Sequence, residues 1–178
     1  MYAMTATRPD LAFTMSKLSK FFDKPTEVHA NAATRILHYL KDAASKGIMS
    51  DGTKKMFAGY SDADFAGDID DRKSTGGYAF ILHGGAVSWK AKKQALPALS
   101  TVEAEYIAGA EATKEAIWLA RLLHKDLGTQ LDTTLLHFDN QGAMALASNN
   151  SNSHTCTKHI DVKWYSHSAK VVEHPTKH

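Results

Sequence analysis

Two textures of apolar and polar residues divide the chain. From Lys55 to Lys93 apolar positions come in short runs broken by glycine, as in "MFAGYSDADFA", "YAFILHGG" and "AVSWKAKK". Such runs predict three consecutive antiparallel strands, with a glycine turn at Gly84-Gly85 joining the last two. From Ser100 to about Leu127 apolar residues instead recur every three or four positions, which predicts one long helix ended by Gly128. "TTLLHFD" then reads as a strand, "NQGAMALASN" as a short helix and "TKHIDVKWYSHSAKV" as a last helical segment. Before Lys55 the pattern gives two helices, followed by a turn or linker at Gly47 and "SDGTKK". Pro9-Asp10 opens an amphipathic stretch with Leu11, Met15 and Leu18 on one side, ending near Phe21 and Phe22. Thr26 caps a second helix carrying Val28, Ala32, Ile36, Leu37 and Leu40 to about Ala44. Two helices without a sheet make little core, so this part is expected to pack on the larger half or on a partner.

The order β-β-β-α-β-α describes a mixed sheet with helices on its faces. The chain of 178 residues, 43% hydrophobic and 22% charged, suffices for one good core and an appendage. No apolar run approaches a membrane span, so no membrane partner is expected. The opening residues lack the features of a secretory signal, and the single Cys156 fits a reducing compartment. An intracellular location, cytoplasmic or nuclear, follows. The net charge of +2 is unevenly spread: nine Lys/Arg against five Asp/Glu up to Met56, then twelve against fourteen. The basic part could lie on a polyanion, although surface lysines alone give the same count. The acidic part is suited to attracting metal first.

Three acids fall at the ends of predicted elements: Asp62 in the first strand, Glu105 early in the long helix and Asp139 at the end of the next strand. Carboxylates far apart in sequence but gathered at one sheet edge are what hard divalent cations require. Two such ions about 4 Å apart could clamp a phosphodiester. Strand alternation points Asp62 and Asp64 to the same face, so geometry alone does not choose between them. Asp68, Asp70 and Asp71 sit in a polar loop and read as solvated. Ser100-Thr101-Val102-Glu103 fits a capping box, with Glu103 returning a hydrogen bond to Ser100. Glu105 has no such structural role. Ala108, Gly109, Ala112 and Ala116 follow on its side of the helix, and small side chains there allow close approach to the sheet. Glu105 is the better ligand of the two, with an exposed surface position as the plainer alternative.

Most aromatic residues read as core, including Phe80, Trp118 and Phe138. Trp89 beside Lys90, Lys92 and Lys93 could line a surface for a nucleic-acid backbone. His154, Cys156 and His159 lack a fourth partner for structural zinc. Gly76-Gly77 lacks the strand-loop-helix setting of a phosphate loop.

The motifs "YSDADFAG", "RKSTGGYAFIL", "VSWKAKKQ", "STVEAEYIAGAEATKEAIWLARLL", "FDNQGAMALA" and "TKHID" resemble, in order, the ribonuclease H domain of Ty1/copia-type retrotransposon polyproteins. "ATRPDLAFTMSKLSKF" and "PTEVHANAATRILHYLK" resemble the segment that joins the reverse transcriptase to that domain. Together they cover the chain to about residue 165. The resemblance implies an α/β ribonuclease H-like fold over residues 55–178, preceded by a helical connection segment over 1–54. It implies a site in which Asp62, Glu105 and Asp139 bind two Mg²⁺ or Mn²⁺ ions. Ser61 and Asn140, beside the first and third acids, are then further substrate contacts with Trp89, Lys90, Lys92 and Lys93. The fourth acid of the family follows a further strand, in a terminal helix. "TKHIDVKWYSHSAKVVEHPTKH" reaches no such segment, so the terminal strand and helix are expected to be missing. Asp161 reads as a cap or structural carboxylate.

The implied activity is hydrolysis of the RNA strand of RNA–DNA hybrids, impaired by the lost ligand, with the rest of a reverse transcriptase as a possible partner. The alternative is an inactive nucleic-acid-binding or structural remnant.

Overall fold

The computed structural model describes residues 2–50, 52, 57–128, 134–148 and 169–173. Three helices come first: α1 (Tyr2–Ala6), α2 (Ala12–Leu18) and α3 (Glu27–Asp42), with single 3₁₀ turns on either side of α2. Then follow β1 (Ala58–Ala63), β2 (Thr75–Leu82), β3 (Gly85–Lys93), α4 (Thr101–Leu127), β4 (Thr134–Phe138), α5 (Gln141–Ser148) and β5 (Ala169–Glu173). The strands form one open sheet in the order β3-β2-β1-β4-β5. β1, β2 and β3 pair antiparallel, while β4 pairs parallel with β1 and β5 parallel with β4. This is the expected α/β ribonuclease H-like arrangement.

Local chemistry accounts for the joints. The β2–β3 turn is His83-Gly84, both at positive φ (51° and 80°), the backbone that a two-residue hairpin of matching twist needs. Gly85 lies within β3, so the turn falls one residue earlier than the sequence suggests. α4 begins at Ser100, whose hydroxyl accepts from Glu103 N–H, and ends at Gly128. The carboxylate of Glu103 reaches past Ser100 to accept from Leu99 N–H at 2.7 Å, one residue beyond a simple capping box. A parallel partner for β1 requires a crossover, and α4 supplies it.

The expectation that the terminal strand is missing is corrected by β5. Ala169 to Val171, read from sequence as the end of a helix, pair with Thr134 to Leu136 of β4. The exposed edge of β4 offers unpaired backbone groups that a following extended segment satisfies whatever its local pattern. The remainder of that predicted helix, with Asp161, His154, Cys156 and His159, lies outside the described residues.

The core lies on one face of the sheet. α4 lays Ala112, Ala116, Leu119 and Leu123 against Phe57, Phe80, Leu136 and Phe138. Trp118, expected in the core, is 55% exposed, because the helix turns it away from the sheet. The opposite face carries α2, which packs on β3. Trp89 Nε1 donates to Met4 O at 2.6 Å, and Lys17 and Lys20 of α2 and the turn after it pair with Asp64 and Asp68. Arg8 binds Asp10 at 2.8 Å and Ala43 O at 3.2 Å, which ties α3 to the same unit. α3 itself buries no residue, and Val28 and Leu37 stand exposed.

Candidate metal centre

Three elements deliver one carboxylate each to the same edge. Asp62 is the fifth residue of β1, and Asp139 directly follows β4. Because β1 and β4 run parallel, their C-terminal ends meet side by side. Glu105, in the second turn of α4, crosses over these ends. One oxygen from each of Asp62, Glu105 and Asp139 lies within 4.8 Å of the others. Asp62 and Asp139 are exposed; Glu105 is buried.

Glu105 occupies an unusual environment for an acid. Its Oε1 accepts from Ala63 N–H at 3.2 Å, while Oε2 is shut away from solvent with no hydrogen-bond partner. Burial pushes its carboxyl up to about 7, against the Ala63 hydrogen bond, and the charges of Asp139 and Asp62 add to the rise. A buried carboxyl gathered with two more carboxylates has no cation against it among the described residues. A hard divalent cation with oxygen ligands supplies what the three groups lack, so the donor set fits Mg²⁺ or Mn²⁺. The plain surface reading of Glu105 is excluded by its 6% exposure.

The other acids separate from this cluster. Asp64 turns back into its own loop, accepting from Thr75 N–H and facing Lys17. Asp68 is not solvated as expected. It is buried between Lys20 and Lys93, which hold its carboxyl well below the usual range, and its Oδ1 accepts from Asp70 N–H. Asp71 takes a second contact from Lys93 at 2.6 Å.

The proposed substrate contacts are divided by strand alternation. Trp89 and Lys93 fall on the face of Asp62, where they hold α1 and the β1–β2 loop. Lys90 and Lys92 fall on the α4 face. Lys90 lies 3.6 Å from Glu111, whereas Lys92 is exposed and makes no ion pair among the described residues. Both line a cavity of about 310 Å³ with Gly76, Tyr78, Ile107 and Glu111. Ser61 is buried and, by strand alternation, lies on the face opposite Asp62; its hydroxyl oxygen has no hydrogen-bond partner. Asn140 Oδ1 accepts from Ala143 N–H and caps α5. On the open sheet face beside Asp62 and Asp139, Tyr60 and His137 stack with centroids 4.8 Å apart. That pair has one signal in the sequence: Tyr60 precedes Asp62, and His137 precedes Asp139, by the same two residues, which places them in one row.

No family model matches the chain. The sheet order and the carboxylate-bearing edge define the class: an open, mixed-sheet α/β protein of ribonuclease H-like fold. The chain is 46% identical over 165 residues to a "Retrovirus-related Pol polyprotein from transposon TNT 1-94" of Nicotiana tabacum, covering 93% of this chain but 12% of that protein. It is 50% identical over 121 residues to "Secreted RxLR effector protein 161" of Plasmopara viticola, covering 67% of this chain and 84% of that one. Among solved structures, an LC11-RNase H1 in complex with an RNA/DNA hybrid aligns at 12% identity with a TM-score of 0.44, over 67% of this chain and 86% of the other. The chain belongs to one family with the Plasmopara viticola protein, and it is related to retrotransposon Pol polyproteins over a stretch that makes up 11–12% of their length.

Proposed function

We propose that this chain is the ribonuclease H-like nuclease unit of a Ty1/copia-type Pol polyprotein. Residues 1–54 are then the connection segment from a reverse transcriptase, and 55–178 the nuclease domain. The observation that carries the reading is the convergence of one carboxylate oxygen each from Asp62, buried Glu105 and Asp139 to within 4.8 Å of one another. Asp62, Glu105 and Asp139 would hold the ions, Mg²⁺ or Mn²⁺, whose chemistry is to activate water and stabilise the leaving oxygen of a phosphodiester. Glu105, buried, would form the floor of the site and would hold a cation as the carboxylate. Asp62 and Asp139, exposed, face the approaching strand. Lys92, exposed on the α4 face two strands from β1, would offer an unengaged charge to a phosphate further along the hybrid. An RNA–DNA hybrid is selected by its shape and 2′-hydroxyls rather than by base identity.

A second reading, a binding or structural remnant without catalysis, is favoured by one specific observation. Among the described residues only three carboxylates converge. Two ions would share fewer ligands there than in a four-acid site, which would weaken one position. Cleavage of a labelled RNA–DNA hybrid in Mg²⁺ and in Mn²⁺, with Asp139→Asn alongside, separates the readings. The nuclease reading expects metal-dependent cutting that is lost in the variant, with hybrid binding retained. No cutting by folded protein in either metal would leave the remnant.

A further inference from the structure

Glycine is a poor residue for a helix interior, yet Gly109 sits near the middle of the first half of α4. Its reason is contact. A β-carbon built there would lie 2.5 Å from Phe138 Cζ and closer still to Cε1. Phe138 is 1% exposed and wedged in the core, so its ring has nowhere to turn. Gly109 is one helical turn beyond Glu105, and Phe138 immediately precedes Asp139. On the other side of Asp139 a second glycine repeats the arrangement. A β-carbon at Gly142 of α5 would come 3.0 Å from Val102 Cγ2 in the first turn of α4. The segment that carries Asp139 is therefore held against α4 at both ends, at points where a side chain is absent.

We infer that Gly109, through its contact with Phe138, is a positioning residue that sets the gap between Glu105 and Asp139 and so tunes the centre to a small cation. The inference rests on the metal-binding reading of the three acids. A methyl group at Gly109 forces α4 and the end of β4 apart by about 1 Å or more before ordinary contact is restored. Mg²⁺ demands near-ideal octahedral geometry at about 2.0–2.1 Å, whereas Ca²⁺ accepts flexible ligation at roughly 2.3–2.6 Å. Opening the gap therefore penalises Mg²⁺ and spares Ca²⁺. A general loosening of the fold would weaken both alike. Gly142 meets only the tips of the Val102 side chain and the Asn140 amide, which can give way, so its effect is smaller.

The test is calorimetric titration of the full chain with Mg²⁺ and, separately, Ca²⁺. Wild type, Gly109→Ala, Gly142→Ala and the double variant Gly109→Ala/Phe138→Leu are compared. Gly109→Ala is expected to lose about tenfold or more in Mg²⁺ affinity and less than about threefold in Ca²⁺ affinity. Gly142→Ala should fall between it and wild type. In the double variant the smaller leucine side chain makes room for the added methyl group, so Mg²⁺ binding should be restored. Unchanged Mg²⁺ affinity in Gly109→Ala overturns the positioning role while leaving the metal reading intact. Equal losses for both cations without rescue also overturn it. A wild-type chain that binds neither cation ends the metal reading itself, and the positioning role with it.

Discussion

At the scale of single residues, Glu105 carries the largest conflict between folding and function. Its carboxyl stays protonated to about pH 7 in the folded chain, against an ordinary value of 4.5. A group with a raised folded value stabilises fully below the unfolded value, and that contribution is lost as pH rises from about 4.5 through about 7. Glu105→Gln removes the charge that causes the loss. At pH 8 without metal the variant should be more stable by on the order of 1–3 kcal/mol in urea unfolding, with a flatter pH profile between 5 and 8. Equal stability of variant and wild type at pH 8 would mean that the carboxylate is better solvated than its 6% exposure implies. Lys93 shows the converse. Its ammonium, held by Asp71 and Asp68, keeps its proton well above the usual lysine range, so it is committed to the fold.

At the scale of elements, α2 has little core of its own but is fastened to the β1–β2 loop. Lys17 faces Asp64 at 3.9 Å, and Lys20 with Lys93 of β3 encloses Asp68. The loop they hold begins two residues after Asp62, so the basic N-terminal part steadies the approach to the acidic edge. Surface ion pairs contribute little singly, but a buried carboxylate left with fewer partners is costly. Lys20→Met should speed amide hydrogen exchange in residues 64–74 while α4 and β4 keep their protection. Exchange that is unchanged in the loop would show that Lys93 alone is enough to hold it. The charge asymmetry of the sequence acquires a physical sense here: part of the basic surplus neutralises loop carboxylates within the same molecule.

At the scale of the whole molecule, opposite pKa shifts set a pH window. Asp68, depressed by Lys20 and Lys93, stabilises above the unfolded value of 3.8 and loses that contribution as pH falls through its lowered folded value. Glu105 stabilises below 4.5 and loses it towards 7. The two contributions are jointly greatest on the acid side, so the metal-free chain should be more stable near pH 5 than near pH 8. Mg²⁺ should reverse the order. A cation bound only by the folded state adds about 2.7 kcal/mol at a hundred times its dissociation constant, and it binds best once Glu105 has ionised. Thermal unfolding at the two pH values, with and without Mg²⁺, measures this directly. A Mg²⁺ shift that is as large at pH 5 as at pH 8 would count against Glu105 as a ligand. No described helix is long and apolar enough to cross a membrane.

Sequence alone determined the elements whose signals are local. Ser100 and Gly128 bounded α4, apolar alternation and glycine marked β1 to β3, and the capping chemistry at Glu103 left Glu105 as the acid without a structural duty. Ordered motifs carried the ribonuclease H-like fold. What sequence could not determine was anything decided by partners distant along the chain. The pattern up to Val171 predicts helix, yet strand pairing at Ala169–Glu173 is settled by the open edge of β4. Asp68 was read as solvated because its cations, Lys20 and Lys93, lie 48 and 25 positions away. Trp89 and Lys93 were read as one surface with Lys90 and Lys92, until pairing fixed which face each row occupies. The gathering of Asp62, Glu105 and Asp139 belongs to both levels: the residue types were legible, but only the parallel pairing of β1 with β4 and the close seat of Gly109 on Phe138 bring their oxygens together. Short-range chemistry writes elements into the sequence; distances between elements arise from packing.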